Sequence, residues 1–204
     1  VKRGALVLPA AAALSLLASS VVAGAAGGTI KGTIRGAEAD GAPVADAVVM
    51  LDGPSVRAAA DAPHAVMDQR QDSFVPHVLA VAAGTTVDFP NSDPRLHNVF
   101  STSPAEKFDL GMYEQGEVKS VTFDTPGVVE VRCNVHPKMR AFVVVHANPY
   151  VGVSDRAGSY TIAGVPPGKY QLRVWQEQRA DAKLDVTVGE GQVLPFDLRL
   201  ERRR

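Results

Sequence analysis

The sequence predicts an all-β protein, and three observations carry the prediction. Short runs rich in Val, Ile, Thr, Tyr and Phe recur along the chain from about residue 29 onward. Turn signals separate them: Asp52-Gly53-Pro54, Ala83-Gly84, Gln115-Gly116, Thr125-Pro126-Gly127, Arg156-Ala157-Gly158, Pro166-Pro167-Gly168 and Gly189-Glu190-Gly191. No segment after residue 26 sustains an apolar period of 3.6 residues.

Taken in order, strands are expected at 29–34, 47–51, 86–89, 118–123, 128–133, 141–146, 160–162, 169–175 and 193–200. In the stretch 169–175, Tyr170, Leu172 and Val174 alternate with Gln171, Arg173 and Trp175, the period-two pattern of a half-buried strand. The stretch 55–62 is Ala-rich and polar, and is read as a linker. The Glu201-Arg202-Arg203-Arg204 tail is read as a frayed, solvated terminus.

Composition narrows the function classes. Lys+Arg number 21 against Asp+Glu 22, a net charge of −1, which argues against a phosphate-reading nucleic-acid binder. Aromatics at 6% are too few for a base-stacking platform. No G-x-S-x-G, H-E-x-x-H or phosphate-cradling glycine loop occurs, so no enzyme is expected.

Lys2 and Arg3 precede an apolar run from Ala5 to Ala18, and Ala23-Gly24-Ala25 fits a small-x-small cleavage site. Residues 1–25 are read as a signal peptide, with an uncleaved anchor as the alternative. The expected location is therefore the periplasm, with no membrane span after cleavage. One cysteine excludes an internal disulfide. In an oxidising compartment a lone thiol invites cross-linking, whereas a metal-bound thiolate has a purpose.

That cysteine has company. Val129, Val131 and Cys133 share one face of a strand, which puts Cys133 at its inner end. His136 and Met139 follow at spacings of three and three, and His97 lies upstream after Asn91-Ser92-Asp93-Pro94. Two imidazoles, one thiolate and one thioether are the donor set of an electron-transfer copper centre.

The segments Asp88-Phe89-Pro90-Asn91, Leu96-His97-Asn98-Val99-Phe100 and Cys133-Asn134-Val135-His136-Pro137-Lys138-Met139 resemble the cupredoxins, in particular the amicyanin and plastocyanin branch. Phe74-Val75-Pro76 and Val81-Ala82-Ala83-Gly84 resemble that family's opening strands. The resemblance implies a Greek-key β-sandwich, a periplasmic protein of the methylamine-utilisation type, and one type 1 copper held by His97, Cys133, His136 and an axial Met139. It implies that Asn98 braces the two ligand loops and donates its backbone N–H to the Cys133 sulfur. It also implies that electrons leave through His136. Val135 replaces a proline of amicyanin-like loops and Lys138 an aromatic residue, which leaves the copper site intact and makes the docking surface this chain's own.

Arg95, Pro137, Lys138 and Arg140 are the expected docking residues, forming a locally basic face for an acidic redox protein acting as donor or acceptor. Sequence leaves open the alternative of a copper-handling module without a redox partner. His77, with Met67 or His64, is weighed as a second copper site, but the phase shared with Leu79 and Val81 favours a buried, hydrogen-bonded His77. His146 has no evident partner.

The remaining chain carries a second resemblance. Gly32-Thr33-Ile34-Arg35-Gly36 and the stretch from Gly41 to Leu51 look like the first half of a carboxypeptidase-regulatory-like (transthyretin-like) sandwich. The stretches from Val153 to Ile162 and from Val165 to Trp175 look like its second half. Neither half has enough strands to bury a core alone. The expectation is a cupredoxin domain at 63–147 nested in a sandwich split between 28–62 and 148–200. That split sandwich should sit at the pole opposite the metal.

Overall fold

A computed structural model describes residues 26–203, so the signal peptide expected at 1–25 lies outside the described residues. No helix occurs among the described residues. The chain opens with β1 (Gly28–Gly36) and β2 (Val48–Asp52). There follow β3 (Ala65–Val66), β4 (Asp68–Arg70), β5 (Ser73–Val75), β6 (Val78–Ala82) and β7 (Thr85–Pro90). Next come β8 (His97–Ser103), β9 (Glu106–Tyr113), β10 (Val118–Phe123), β11 (Gly127–Arg132) and β12 (Arg140–His146). The last strands are β13 (Val151–Val153), β14 (Ser159–Val165), β15 (Gly168–Trp175), β16 (Ala182–Val188), β17 (Val193–Pro195) and β18 (Leu198–Leu200).

Strand pairing sorts these into two sandwiches. In the central one, the sheet β10-β7-β3 faces the sheet β6-β12-β11-β8-β9, with β4-β5 as an appended hairpin. Its core holds Val87, Phe89, Phe123, Val129, Val131, Val143 and Val145. In the flanking one, β1 joins β14, β17 and β18, and the second sheet runs β13-β2-β15-β16. Ile30, Ile34, Leu51, Ile162, Leu172 and Val174 lie in its core. Strands from both ends of the chain thus complete one core, while the central segment encloses another. The chain leaves and returns side by side, since Val56 N–H donates to the Ala147 carbonyl at 2.8 Å.

The apolar run of β12 is buried on both faces, as a continuous run of this length implies. Ala141, Val143 and Val145 enter the central core. Phe142 and Val144 point the other way, joining Val48, Met50 and Val78 in a separate cluster with Trp175 packed against it. Each such side chain withdrawn from water contributes roughly 1.5–3 kcal/mol, so this cluster fastens the sandwiches together. The flanking sandwich therefore lies along the β6–β12 face. The expectation that it stands behind the far pole is corrected: the outward residues of β12 needed cover along their whole length.

Other expectations change as well. Edge strands β9 and β16 were not legible, because charged residues interrupt their apolar alternation. The tail is tied down rather than frayed: Arg202 pairs with Glu38 and Arg203 with Asp181. His146 is buried and donates Nε2–H to the Leu51 carbonyl at 2.9 Å.

Candidate metal centre

Cys133 directly follows β11, in phase with the buried Val129 and Val131, and is itself buried. The loop it opens is closed by the backbone. Met139 N–H donates to the His136 carbonyl at 2.8 Å, and Cys133 N–H to the Met139 carbonyl at 3.3 Å. Met139 is buried in the same core cluster as Cys133. His97 starts β8, paired with Tyr113 of β9, and is fully buried. Asn98 joins the two segments, its Oδ1 accepting the Asn134 N–H at 3.3 Å.

The donor atoms converge. His97 Nδ1 lies 3.0 Å from His136 Nδ1, which lies 3.9 Å from Cys133 Sγ. The His97, Cys133 and His136 donor atoms all fall within 4.8 Å of one another. An ion about 2.0–2.1 Å from each nitrogen and about 2.3 Å from sulfur sets separations of this size. The His136 side chain retains 25% exposure, so one of the three candidate donors reaches the surface while His97 and Cys133 are buried.

Sequence reasoning missed what holds His97. Asp93, four residues earlier and buried, accepts the His97 Nε2–H at 2.9 Å. Burial alone would raise the Asp93 carboxyl. The backbone N–H groups of Asp72 and Gln71, at 2.8 and 2.5 Å, and the His97 ring outweigh it, so the group lies below its ordinary value. An ionised carboxylate only accepts, so the proton sits on Nε2 and the Nδ1 lone pair faces His136 and Cys133. Such a partner orients a metal-binding imidazole and raises its basicity.

The same carboxylate shapes the β4–β5 hairpin. Gln71 and Asp72 both have left-handed φ, +53° and +54°, in its two-residue turn. Asp93 receives both of their N–H groups and so holds an otherwise costly turn in place. Asn91 supports Asp93 in turn, its Oδ1 accepting the Asp93 N–H at 3.0 Å. The only advance signal was Asn91-Ser92-Asp93-Pro94, which reads as an ordinary turn.

The docking residues fare unevenly. Pro137 and Lys138 are exposed. Arg95 pairs with Asp72 at 2.9 Å, and Arg140 pairs with Glu130 and Glu177 at 2.5 and 2.7 Å. The expected basic face is therefore largely neutralised, because acidic residues from the β4–β5 turn, β11 and the flanking sandwich fold against it. What the surface does offer beside His136 is apolar: Leu96, Met112 and Val135 are 49, 43 and 48% exposed.

The second copper site has no geometric basis. Met67 is wholly buried in the central core, His64 pairs with Asp88, and His77 is half-buried against Glu177.

Residues 127–201 match the family model of the carboxypeptidase regulatory-like domain. The match begins at β11, whereas by strand pairing the flanking sandwich resumes only at β13. No curated protein matches the chain. Among solved structures it is similar to a reduced amicyanin variant, at 27% identity over 48% of this chain and 98% of that one, with a TM-score of 0.39. It is similar to the purple cupredoxin from Nitrosopumilus maritimus at 24% identity over 40% and 99%, TM-score 0.37. A Cu-containing nitrite reductase from Thermus scotoductus SA-01 shares 27% identity over 41% of this chain, TM-score 0.40, and this chain spans only 22% of it. The chain is thus all-β, carries a carboxypeptidase regulatory-like match, and has amicyanin and other cupredoxins among the structures it is similar to.

Proposed function

We propose that this chain is a type 1 copper electron carrier rather than an enzyme, exported to the periplasm, with a cupredoxin domain nested in a split carboxypeptidase-regulatory-like sandwich. The observation that carries the reading is the convergence of His97 Nδ1, His136 Nδ1 and Cys133 Sγ, with Met139 buried beside Cys133. Copper bound there supplies a one-electron couple between Cu(I) and Cu(II).

The residues divide the work. Asp93 holds His97 in the tautomer that presents Nδ1. Asn98 ties the Cys133 loop to β8, limiting ligand movement between oxidation states. His136 brings one imidazole edge to the surface, and Leu96, Met112 and Val135 give a redox protein an apolar surface on which to dock. Burial of His97, Cys133 and Met139 favours a carrier over a copper-handling module, because release would require the loop to open.

Adding Cu(II) to the metal-free protein should produce an intense thiolate-to-copper charge-transfer band. Cys133→Ser should abolish the band while circular dichroism stays that of a folded β protein. An unchanged band in the variant refutes the site. Slow release to a Cu(I) chelator with fast electron self-exchange is expected, and the reverse pattern would favour copper handling.

A further inference from the structure

One cluster of polar side chains lies outside the ligand set and bridges the two sandwiches. Glu177 belongs to the flanking sandwich, two residues past the end of β15. Its Oε2 accepts from His77 Nε2 at 2.9 Å, and its Oε1 lies 2.7 Å from Arg140 Nη1. Both of those partners belong to the central sandwich. His77 and Arg140 also touch each other: the His77 ring Nδ1 lies 3.1 Å from the Arg140 carbonyl, and the ring donates to both acceptors at once only as an imidazolium. Glu177, His77 and Arg140 therefore form a closed ring of contacts.

The ring lies over an apolar floor that continues into the flanking sandwich. The Arg140 guanidinium sits 4.9 Å above the Phe142 ring. The His77 ring meets Phe142 edge-on at 5.7 Å, and Phe142 meets Trp175 at 5.2 Å. An exposed ion pair alone contributes little. Here one carboxylate engages two partners, and packing holds all three in register.

Position gives the ring its consequence. Arg140 directly follows Met139, at the C-terminal arm of the ligand loop. On the β6 side, the ladder of β12 begins only at Phe142 paired with Val78, and Phe142 N–H donates to the His77 carbonyl. The β6 ladder pairs no residue of β12 before Phe142, and β5 packs nearby through Phe74 in the core cluster that holds Met139. The His77 ring, oriented by Glu177, takes over there and catches the Arg140 carbonyl. One hold on the Met139 arm from this side thus comes from a side chain set by the other sandwich.

We propose that Glu177 is a positioning residue of the metal centre: through His77 and Arg140, the flanking sandwich sets where Met139 stands. The flanking sandwich is then a working part of the copper site, not only a tether. The inference rests on the copper reading above for its functional consequence, but the placement of Met139 is testable without metal.

The test uses the full chain carrying Glu177→Ala, Glu177→Gln and, as a control, Asp52→Asn. The control removes a carboxylate that pairs with Arg173 within the flanking sandwich. In metal-free protein with isotope-labelled methionine methyls, Glu177→Ala should shift the Met139 methyl resonance, Glu177→Gln should shift it less, and Asp52→Asn should leave it in place. In copper-loaded protein, Glu177→Ala should change the reduction potential and weaken copper binding by about 10-fold, the lower end for groups that orient a ligand from outside. Glu177→Gln should restore most of both. A Met139 resonance that does not move in Glu177→Ala, or moves no more than in Asp52→Asn, overturns the proposal. If Glu177→Ala does not fold, the Glu177→Gln comparison decides by the same criterion. If the parent protein shows no thiolate band with Cu(II), the copper reading fails, and the metal-free resonance still decides whether Glu177 positions Met139.

Discussion

In the flanking sandwich, buried polar side chains repair the backbone. Ser154 Oγ accepts the Ala47 N–H at 2.9 Å and donates to the Val44 carbonyl at 2.8 Å, where the chain turns into β2. Asn148 does the same beside β2, donating to the Leu51 carbonyl and accepting the Tyr150 N–H, each at 3.0 Å. At the metal pole of the central sandwich, buried polar side chains also bond to backbone, as Asn91 does to the Arg95 and Tyr113 carbonyls, but some bond to one another as well. Asp93 holds His97, Asn91 holds Asp93, and Gln69 donates to the Tyr113 hydroxyl at 2.6 Å. Among the described residues, the buried side-chain polar atoms without a partner, Asp68 Oδ1 and Gln69 Oε1, both lie in β4 of this same region. One sandwich uses buried polarity to close its fold. The other adds bonds between side chains where the candidate metal donors are held in one orientation.

The largest test of that contrast is Asp93→Ala. It leaves the N–H groups of Gln71 and Asp72 and the His97 ring without their acceptor, at about 1–3 kcal/mol for each orphaned group. It should also weaken copper binding by about 10–100-fold, because His97 loses the partner that fixes its tautomer. Denaturant unfolding and copper titration measure the two effects separately. A variant that loses stability but binds copper as tightly as the parent would show that Asp93 serves only the hairpin.

Ser154→Ala should have a smaller and one-sided effect. Stability should fall by about 1–3 kcal/mol from the orphaned backbone groups, with copper affinity and spectrum unchanged. A change at the copper site of the same size as that in Asp93→Ala would erase the distinction between the sandwiches.

The smallest expected effect is electrostatic and lies in the flanking sandwich. The Glu38 carboxyl is lowered from 4.5 to about 2, first by a hydrogen bond with its own backbone N–H and next by the Arg202 side chain, with Arg179 adding to them. A depressed folded-state value stabilises the protein above the ordinary value of 4.5 and loses that contribution as pH falls toward 2. The stability gap between the parent and Glu38→Gln should therefore be present near neutral pH and close on acidification between those limits. A gap that widens on acidification contradicts the assigned sign.

Local pattern by itself determined a good deal. Period-two alternation put Cys133 in phase with Val129 and Val131, and the spacing to His136 and Met139 marked a loop able to gather three donors. The stretch 141–146 was legible as a strand, but not that its second face would be covered by Val48, Met50 and Trp175. The strands of mixed polarity, β9 and β16, escaped notice because an edge strand need not present a clean apolar face.

Only the tertiary structure decided what orients the ligands and what stands behind them. Asp93 reads in sequence as one residue of a turn; its bonds to Gln71 and Asp72 exist because a hairpin from earlier in the chain folds over it. Glu177 reads as a charged residue after a strand; it meets His77 and Arg140 because β12 buries its outer face against the other sandwich. Periodicity records which way a side chain points along its own strand. The partner it meets there is set by long-range packing, which leaves no local repeat to read.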